Sequence, residues 1–411
     1  MRAAGERCDV LVVGAGPGGS TAAALFAAAG YDVRLLDRAV FPRFKACGDF
    51  LSPGGTRVLR RLGVEEEIRR EGARELRGLL VSAHGEAPLR ADFEPGEHQV
   101  GYALERSRLD ATLLAAARRS GADVREGTTA EGLVGPAAVR VRSPEGETAE
   151  WRARLVVGAG GRRCPVARDL GVQRLRQGPG RIDLLSHWAG LDVARPYCEL
   201  HISGPGYTGV ASSAPDRVNV NTVVPSTWMR AASGRGNGRA RRPRGHLYSD
   251  LLRASPAVNR TIENGRQLYE PVASDITPLS TVRASADGAL LVGDSALFID
   301  PFTGQGIYLA LRSAEMAFEV GAAALAAGDT GAVRLAAYDR LRGAEFAAKV
   351  TLSRLLQAII YSPRAARDVA AALRRDPRGA RRLIGLIGDY RPASDLLSPS
   401  FLLRLATAGL G

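Results

Sequence analysis

Asp9-Val-Leu-Val-Val-Gly-Ala-Gly-Pro-Gly-Gly-Ser-Thr-Ala-Ala-Ala-Leu-Phe-Ala-Ala-Ala-Gly-Tyr-Asp-Val-Arg-Leu-Leu-Asp37 is the stretch that decides the fold. Val10 to Val13 are apolar and mostly β-branched, as a buried parallel strand requires. Gly14, Gly16 and Gly19 follow as G-x-G-x-x-G, with Gly18 beside them, and an Ala-rich helix begins at once. Gly14 permits the tight turn, Gly16 lets backbone approach a pyrophosphate, and Gly19 lets helix and strand pack closely. The helix N-terminus offers free N–H groups and a positive dipole end to the phosphates. Val33 to Leu36 make a second strand, and Asp37 ends it where a ribose 2′-OH needs an acceptor. An acid there disfavours a 2′-phosphate, so the site suits NAD or the ADP half of FAD rather than NADP.

Outward from this stretch, 411 residues suit two or three domains. The composition, 45% hydrophobic and 24% charged, is that of a soluble globular protein. No run approaches the roughly 18 apolar residues of a membrane-spanning helix. The first apolar stretch belongs to the glycine fingerprint, which argues against a signal peptide. Cys8, Cys47, Cys164 and Cys198 are scattered, which points to the reducing cytoplasm and away from zinc or a disulfide scaffold. The histidines form no H-x-x-x-H pattern and no G-x-S-x-G elbow occurs, so no metal site is expected and serine hydrolysis lacks support. The net charge of +13 is carried mostly by arginine. Its densest stretch, Gly234 to Arg244, reads as a solvated loop that could attract an acidic, diphosphate-linked or carrier-linked partner. No nucleic-acid motif accompanies the charge.

The coarse pattern predicts an α/β protein. A discontinuous Rossmann-like domain is expected from 1–75, 104–175 and 272–330. An inserted, mostly antiparallel sheet is expected from 76–103 and 176–271, and a helical region from 331–411. Within these, a helix is expected over Thr56 to Arg70 and another opening at Leu104, with Ser107 as a candidate cap. A Pro-containing break is expected over Asp389 to Ser398.

Two further motifs carry chemistry. Ala289-Leu-Leu-Val-Gly-Asp-Ser-Ala-Leu-Phe-Ile-Asp-Pro-Phe-Thr-Gly-Gln-Gly-Ile307 runs from a strand through Gly293-Asp294 into a Gly-rich helix start. Phe41-Pro-Arg-Phe-Lys-Ala-Cys-Gly-Asp-Phe-Leu-Ser-Pro53 is a loop dense in charge and sulfur. Both resemble the geranylgeranyl reductase family within the glutathione-reductase-type flavoproteins, a superfamily that also holds flavin monooxygenases. The resemblance covers residues 8 to 330 at the level of motifs and implies FAD.

By that resemblance Asp294 holds the ribityl chain, and Gly304, Gly306 and Ile307 bring a helix N-terminus to the flavin. Arg43 and Lys45 contact the cofactor, and Arg38 and Arg106 lie near it. Cys47 and Asp49 face the substrate side and are, with Asp300, the candidate catalytic residues. Cys47 reads equally as a buried structural thiol, and Asp300 either orients substrate or caps a helix. Arg108 and Asp110 are expected on a solvated helix face. His187, His201 and Tyr207 fall on strands of the second sheet and are candidates for the substrate pocket. Two departures stand out. Gly158-Ala-Gly-Gly161 lacks the acid that the superfamily links to NADPH handling, and Gly206-Tyr207 replaces a Trp signature of prenyl-binding members.

The resemblance therefore implies an FAD oxidoreductase, with NADH or NADPH only as a transient reductant. In one reading reduced flavin delivers hydride to a C=C of a large hydrophobic substrate (prenyl, quinone or polyketide-like). In another a flavin hydroperoxide hydroxylates an aromatic or polyketide substrate, as a monooxygenase of secondary metabolism would. A third, non-enzymatic reading is a lipid or acyl escort on the same fold. The Leu/Ile and Arg stripes of Leu352 to Leu410 suit a packed lid or a peripheral membrane contact.

Overall fold

The computed structural model describes residues 6–94, 96, 99–175, 180–191, 196–234 and 242–392. In it Arg7–Val13 lies between two parallel neighbours, Val33–Leu36 and Thr148–Gly158. Asp123–Arg125 and Ala289–Leu291 extend the parallel order on either side. The sheet is doubly wound, and Val10 to Val13 are buried on both faces. Helix Pro17–Ala28 packs against this sheet and against Gly306–Ala326 and Arg106–Arg119. Small residues make that approach close. A Cβ on Gly321 would stand 2.8 Å from both Leu155 and Phe26.

The second sheet runs in the order Arg266–Gln267, Arg181–Ala189, Arg217–Pro225, Gly206–Ala214, Tyr197–Ser203, Gly78–Ala83, Leu89–Asp92. It is antiparallel except between Tyr197–Ser203 and Gly78–Ala83. Strand alternation sorts its side chains into two faces. Leu184, Val210, Val220 and Val224 pack under helices Arg244–Arg253 and Pro256–Ile262. Leu200, Ile202, Tyr207, Ala211 and Val223 point the other way and share one core with Phe50, Phe302 and the C-terminal helices.

Several boundaries differ from the sequence expectation. Val272–Asp275, expected in the Rossmann-like domain, pairs with Arg181–Ala189 in the second sheet. Gly101–Ala103 leaves that sheet and pairs with Phe50–Leu51 and Arg74–Leu76. The helix expected over Thr56 to Arg70 is two, Pro53–Arg61 and Glu65–Arg70, because Gly63 adopts φ 70° between them. The helix near Leu104 starts at Arg106 with Glu105 as its N-cap residue, so Ser107 lies inside it and caps nothing. The C-terminal region is helical over Ala332–Ile360, Pro363–Arg375 and Pro377–Ile387. Most of the basic stretch, residues 235–241, and residues 393–411 lie outside the described residues. Among those described, no helix is long and apolar enough to cross a membrane.

Candidate active site

The glycine turn is built from its own strand and from Asp37. Gly14 has φ 104°, and its N–H donates to the carbonyl of Leu36 at 2.8 Å. A Cβ on Gly19 would lie 1.8 Å from the carbonyl oxygen of Gly14, so only glycine lets the helix start here. The Asp37 carboxylate accepts from the N–H groups of Ala15 at 2.8 Å and Ala39 at 2.9 Å. It thus fixes the turn, and its remaining lone pairs stay free for a ribose.

Open space surrounds the same elements. Gly16 has only the Arg43 guanidinium within reach, 3.8 Å from a would-be Cβ, and Gly306 has nothing within 4 Å. Neither Pro17–Ala28 nor Gly306–Ala326 has a capping side chain, so two helix N-termini present bare N–H groups. Thr303 Oγ1 and Gln305 Oε1, on either side of Gly304, are buried and have no partner among the described residues. Gly304 turns through φ 65°, where the Phe50 ring would stand 2.4 Å from a Cβ. Bare donors, orphaned polar atoms and open space are what an anionic dinucleotide fills.

Lys45 and Asp294 face this space and are charge partners. Desolvation lowers the Lys45 ammonium, Arg106 adds to that, and Asp294 opposes it. Desolvation likewise raises the Asp294 carboxyl, with Lys45 and Arg106 pulling it back. Arg43 and Arg106 converge on Asp110, Arg106 through two hydrogen bonds of 2.8 and 2.9 Å and Arg43 at 3.2 Å. Asp110 is 0% exposed, which corrects its expected place on a solvated face. Its i, i+4 spacing from Arg106 was the available signal. Arg38 is exposed.

The loop's end meets the second sheet. Desolvation pushes the Cys47 thiol upward, and Arg106 beside it works against the shift. Asn219 Nδ2 donates to the Cys47 carbonyl at 2.7 Å and to Asp49 Oδ2 at 2.8 Å. His187 Nε2 meets the same Asp49 oxygen at 2.8 Å, and its Nδ1 meets the Tyr269 hydroxyl at 2.5 Å. A carboxylate only accepts, so Nε2 carries the proton and Nδ1 accepts from the tyrosine. Asp49 and His187 are each 2% exposed. Asn219 and Tyr269 were not singled out from sequence, because neither belongs to a motif and only sheet pairing brings them here.

The other candidates separate. Asp300 caps Phe302 N–H at 2.9 Å and accepts from Arg181 at 2.7 Å and Tyr207 at 3.0 Å, so both its oxygens are engaged. Tyr207 shares the face of His187, in edge contact with Phe302. His201 lies on the opposite face, bonded to Ser82 at 2.7 Å and Glu199 at 3.0 Å. Among the described residues no cluster of His, Cys, Asp or Glu could hold a metal ion.

A doubly wound sheet with this cradle defines an FAD-dependent oxidoreductase. The chain belongs to the FAD binding domain family, whose model matches residues 7–353. It is 31% identical over 338 residues to the menaquinone reductase of Mycolicibacterium smegmatis, spanning 76% of each chain. It is 30% identical over 330 residues to the 6-methylpretetramide 4-monooxygenase of Streptomyces rimosus, spanning 77% of this chain and 75% of the other. A geranylgeranyl bacteriochlorophyll reductase-like structure from Thermoplasma acidophilum shares the fold, with TM-score 0.75, 23% identity, and coverage of 98% of this chain and 96% of that one.

Proposed function

We propose that the chain is a reductase that adds hydrogen across a C=C bond of a large hydrophobic substrate of the prenylated quinone or lipid class. Bound FAD supplies the hydride. Gly14, Gly16, Gly18 and Gly19 would take its pyrophosphate, Asp37 its ribose, and Arg43, Lys45 and Arg106 its anionic parts. Asp294 would take the ribityl chain, and Gly304, Gly306 and Ile307 the ring edge. A nicotinamide would visit only to reduce the cofactor.

Net hydrogenation also consumes one proton from solvent, and the chain Tyr269–His187–Asp49 is the observation that carries the reading. Tyr269 is half-buried at the edge of the site, where the exposed ring of Phe44 packs edge-on against it. A proton entering at the Tyr269 oxygen would pass to His187 Nδ1 as the Nε2 proton moves to Asp49 Oδ2. Asp49 would then protonate the substrate carbon that hydride addition leaves anionic. Asn219 holds Asp49 and the Cys47 carbonyl in register. Hydroxylation by O2 also consumes a proton but needs water kept from the flavin. C=C reduction needs an acid that reaches the substrate carbon, so a solvent-linked acid at the site favours the reductase.

Anaerobic turnover in D2O with NADH or NADPH and a prenylated naphthoquinone tests this. The product should gain two hydrogens and no oxygen, with at least one of the two being deuterium. Tyr269→Phe should slow turnover about tenfold or more, without changing flavin content. A product that forms only with O2 and gains an oxygen atom would overturn the reading in favour of the monooxygenase.

A further inference from the structure

The sheet face that carries His187 has a second polar position, two contacts from the loop that ends in Asp49. Asp183 is 6% exposed and Asn221 is 8% exposed. Asn221 Oδ1 lies 3.5 Å from the Cβ position of Gly48 and 2.6 Å from that of Gly209, so the amide is wedged between loop and strand. Its Nδ2 donates to Asp183 Oδ1 at 3.4 Å, a long bond and the one that Asp183's side chain has among the described residues. A carboxyl this buried normally collects several partners. Its neighbour Asp300 does so, with Arg181, Tyr207 and Phe302 N–H all engaged. Asp183 is thus nine-tenths enclosed, short of partners, and set among Leu185, Val223 and Ala211 on the face that also carries His187, Asn219 and Tyr207.

We propose that Asp183 and Asn221 form a hydrogen-bonding subsite for a carbonyl oxygen of the substrate, which accepts only from the protonated acid, selecting a carbonyl-bearing head group over a purely hydrocarbon one. Asp183 in its neutral form donates an O–H to that oxygen, and the second Nδ2 hydrogen of Asn221 points with it. Desolvation, reinforced by the negative charge of Asp300, pushes the Asp183 carboxyl up to about 7, so the donor is present below neutrality. Arg181, at the start of the same strand, neutralises Asp300 at 2.7 Å. Tyr207 from the next-but-one strand and Tyr361 beyond Arg181 both stay protonated. Asp275, on the paired strand, is engaged with Thr277. Of the groups named here Asp183 is the one raised to near neutrality, while His187, four residues along the same strand face, is engaged with Asp49 and Tyr269.

The inference refines the substrate class of the proposed reductase, but its test is equilibrium binding to the oxidised FAD-loaded protein and needs no turnover. A short-chain prenylated naphthoquinone is titrated against the prenyl alcohol of equal length, following flavin fluorescence between pH 5.5 and 8.5. Quinone affinity should fall about tenfold as pH rises through 7, while alcohol affinity stays level. Asp183→Asn keeps a donor and should bind quinone without pH dependence. Asp183→Ala should lose about tenfold of the quinone affinity at low pH and leave it independent of pH. Equal pH profiles for the two probes, or an Ala variant that binds quinone as well as the Asn variant, would sink the subsite. Neither result bears on whether the enzyme reduces C=C bonds, which the deuterium experiment reads separately.

Discussion

At the scale of single residues, burial decides what each side chain can do. Asp300 and Asp183 sit close together, yet one is fully bonded and the other is not. Asp183 pays for this in folding stability. Its carboxyl is raised from 3.8 to about 7 in the folded chain, so between those values the native state keeps a proton that the unfolded chain releases. Stability from this group is therefore full at low pH and is lost as pH rises towards 7. Asp183→Asn removes the titration. Its melting temperature relative to the parent should climb from about pH 4 to about pH 7 and stay level above. Calorimetry across that range reads it, and a difference independent of pH would contradict the assignment. Cys47 follows the same logic. A thiol raised by desolvation is a poor nucleophile at neutral pH, which suits a wall of the site better than an attacking group.

At the scale of elements, the glycine fingerprint was legible because everything it needs is local. Strand, turn, helix and Asp37 follow within one βαβ unit, and the Asp37 carboxylate bonding Ala15 and Ala39 is the physical reason the acid sits there. The loop to Asp49 and the turn at Gly304 were legible for the same reason. The second sheet was not. Its parallel pairing of Ser82 with His201 joins residues 119 apart and sets the face of His201, while the pairing of His187 with Asn219 sets the other. His187 thus reaches Asp49 while His201 turns away, and Asn219 enters the site with no motif to mark it. Asp110 was misplaced because a charged helix residue defaults to solvent unless a partner such as Arg43 arrives from a distant loop. Glycine substitutions separate fold from ligand at this scale. Gly19→Ala drives a methyl into the Gly14 carbonyl and should cost the apoprotein about 3 kcal/mol as well as its FAD. Gly306→Ala meets no atom within 4 Å, so the apoprotein should melt unchanged while the methyl crowds the cradle and lowers flavin retention. The ratio of flavin to protein absorbance after gel filtration, read beside apoprotein melting, distinguishes the two.

At the scale of the whole molecule, the C-terminal helices are tied to the Gly304 turn through one buried carboxylate, that of Asp389. Lys349 Nζ donates to Asp389 Oδ1 at 2.7 Å, and Gln305 Nε2 donates to the same oxygen at 2.6 Å. Ser52, the N-cap of Pro53–Arg61, donates to Oδ2 at 2.7 Å, and Arg57 donates to the Asp389 carbonyl at 2.5 Å. Gln305 stands between Gly304 and Gly306, so one carboxylate couples the last described helix, the Gly304 turn and the first helix after the Cys47 loop. Desolvation raises the Asp389 carboxyl and Lys349 holds it down, so each charge is tolerable only because the other is present. Removing one partner of such a pair costs about 3–5 kcal/mol, whereas removing both charges costs far less. Lys349→Met should therefore lower the denaturation midpoint by an amount in that range, and Lys349→Met with Asp389→Asn should recover most of it. Undocking also frees the helical backbone at the already exposed Arg364, Arg367, Arg375 and Arg378 to enter a protease. Trypsin should then cut within residues 363–387 faster in the single variant than in the parent or the double variant. Flavin retention should fall in step, because Gln305 loses its anchor as the helices leave. Cleavage at the parental rate in Lys349→Met, with full flavin content, would show that the apolar face of these helices holds them without the ion pair.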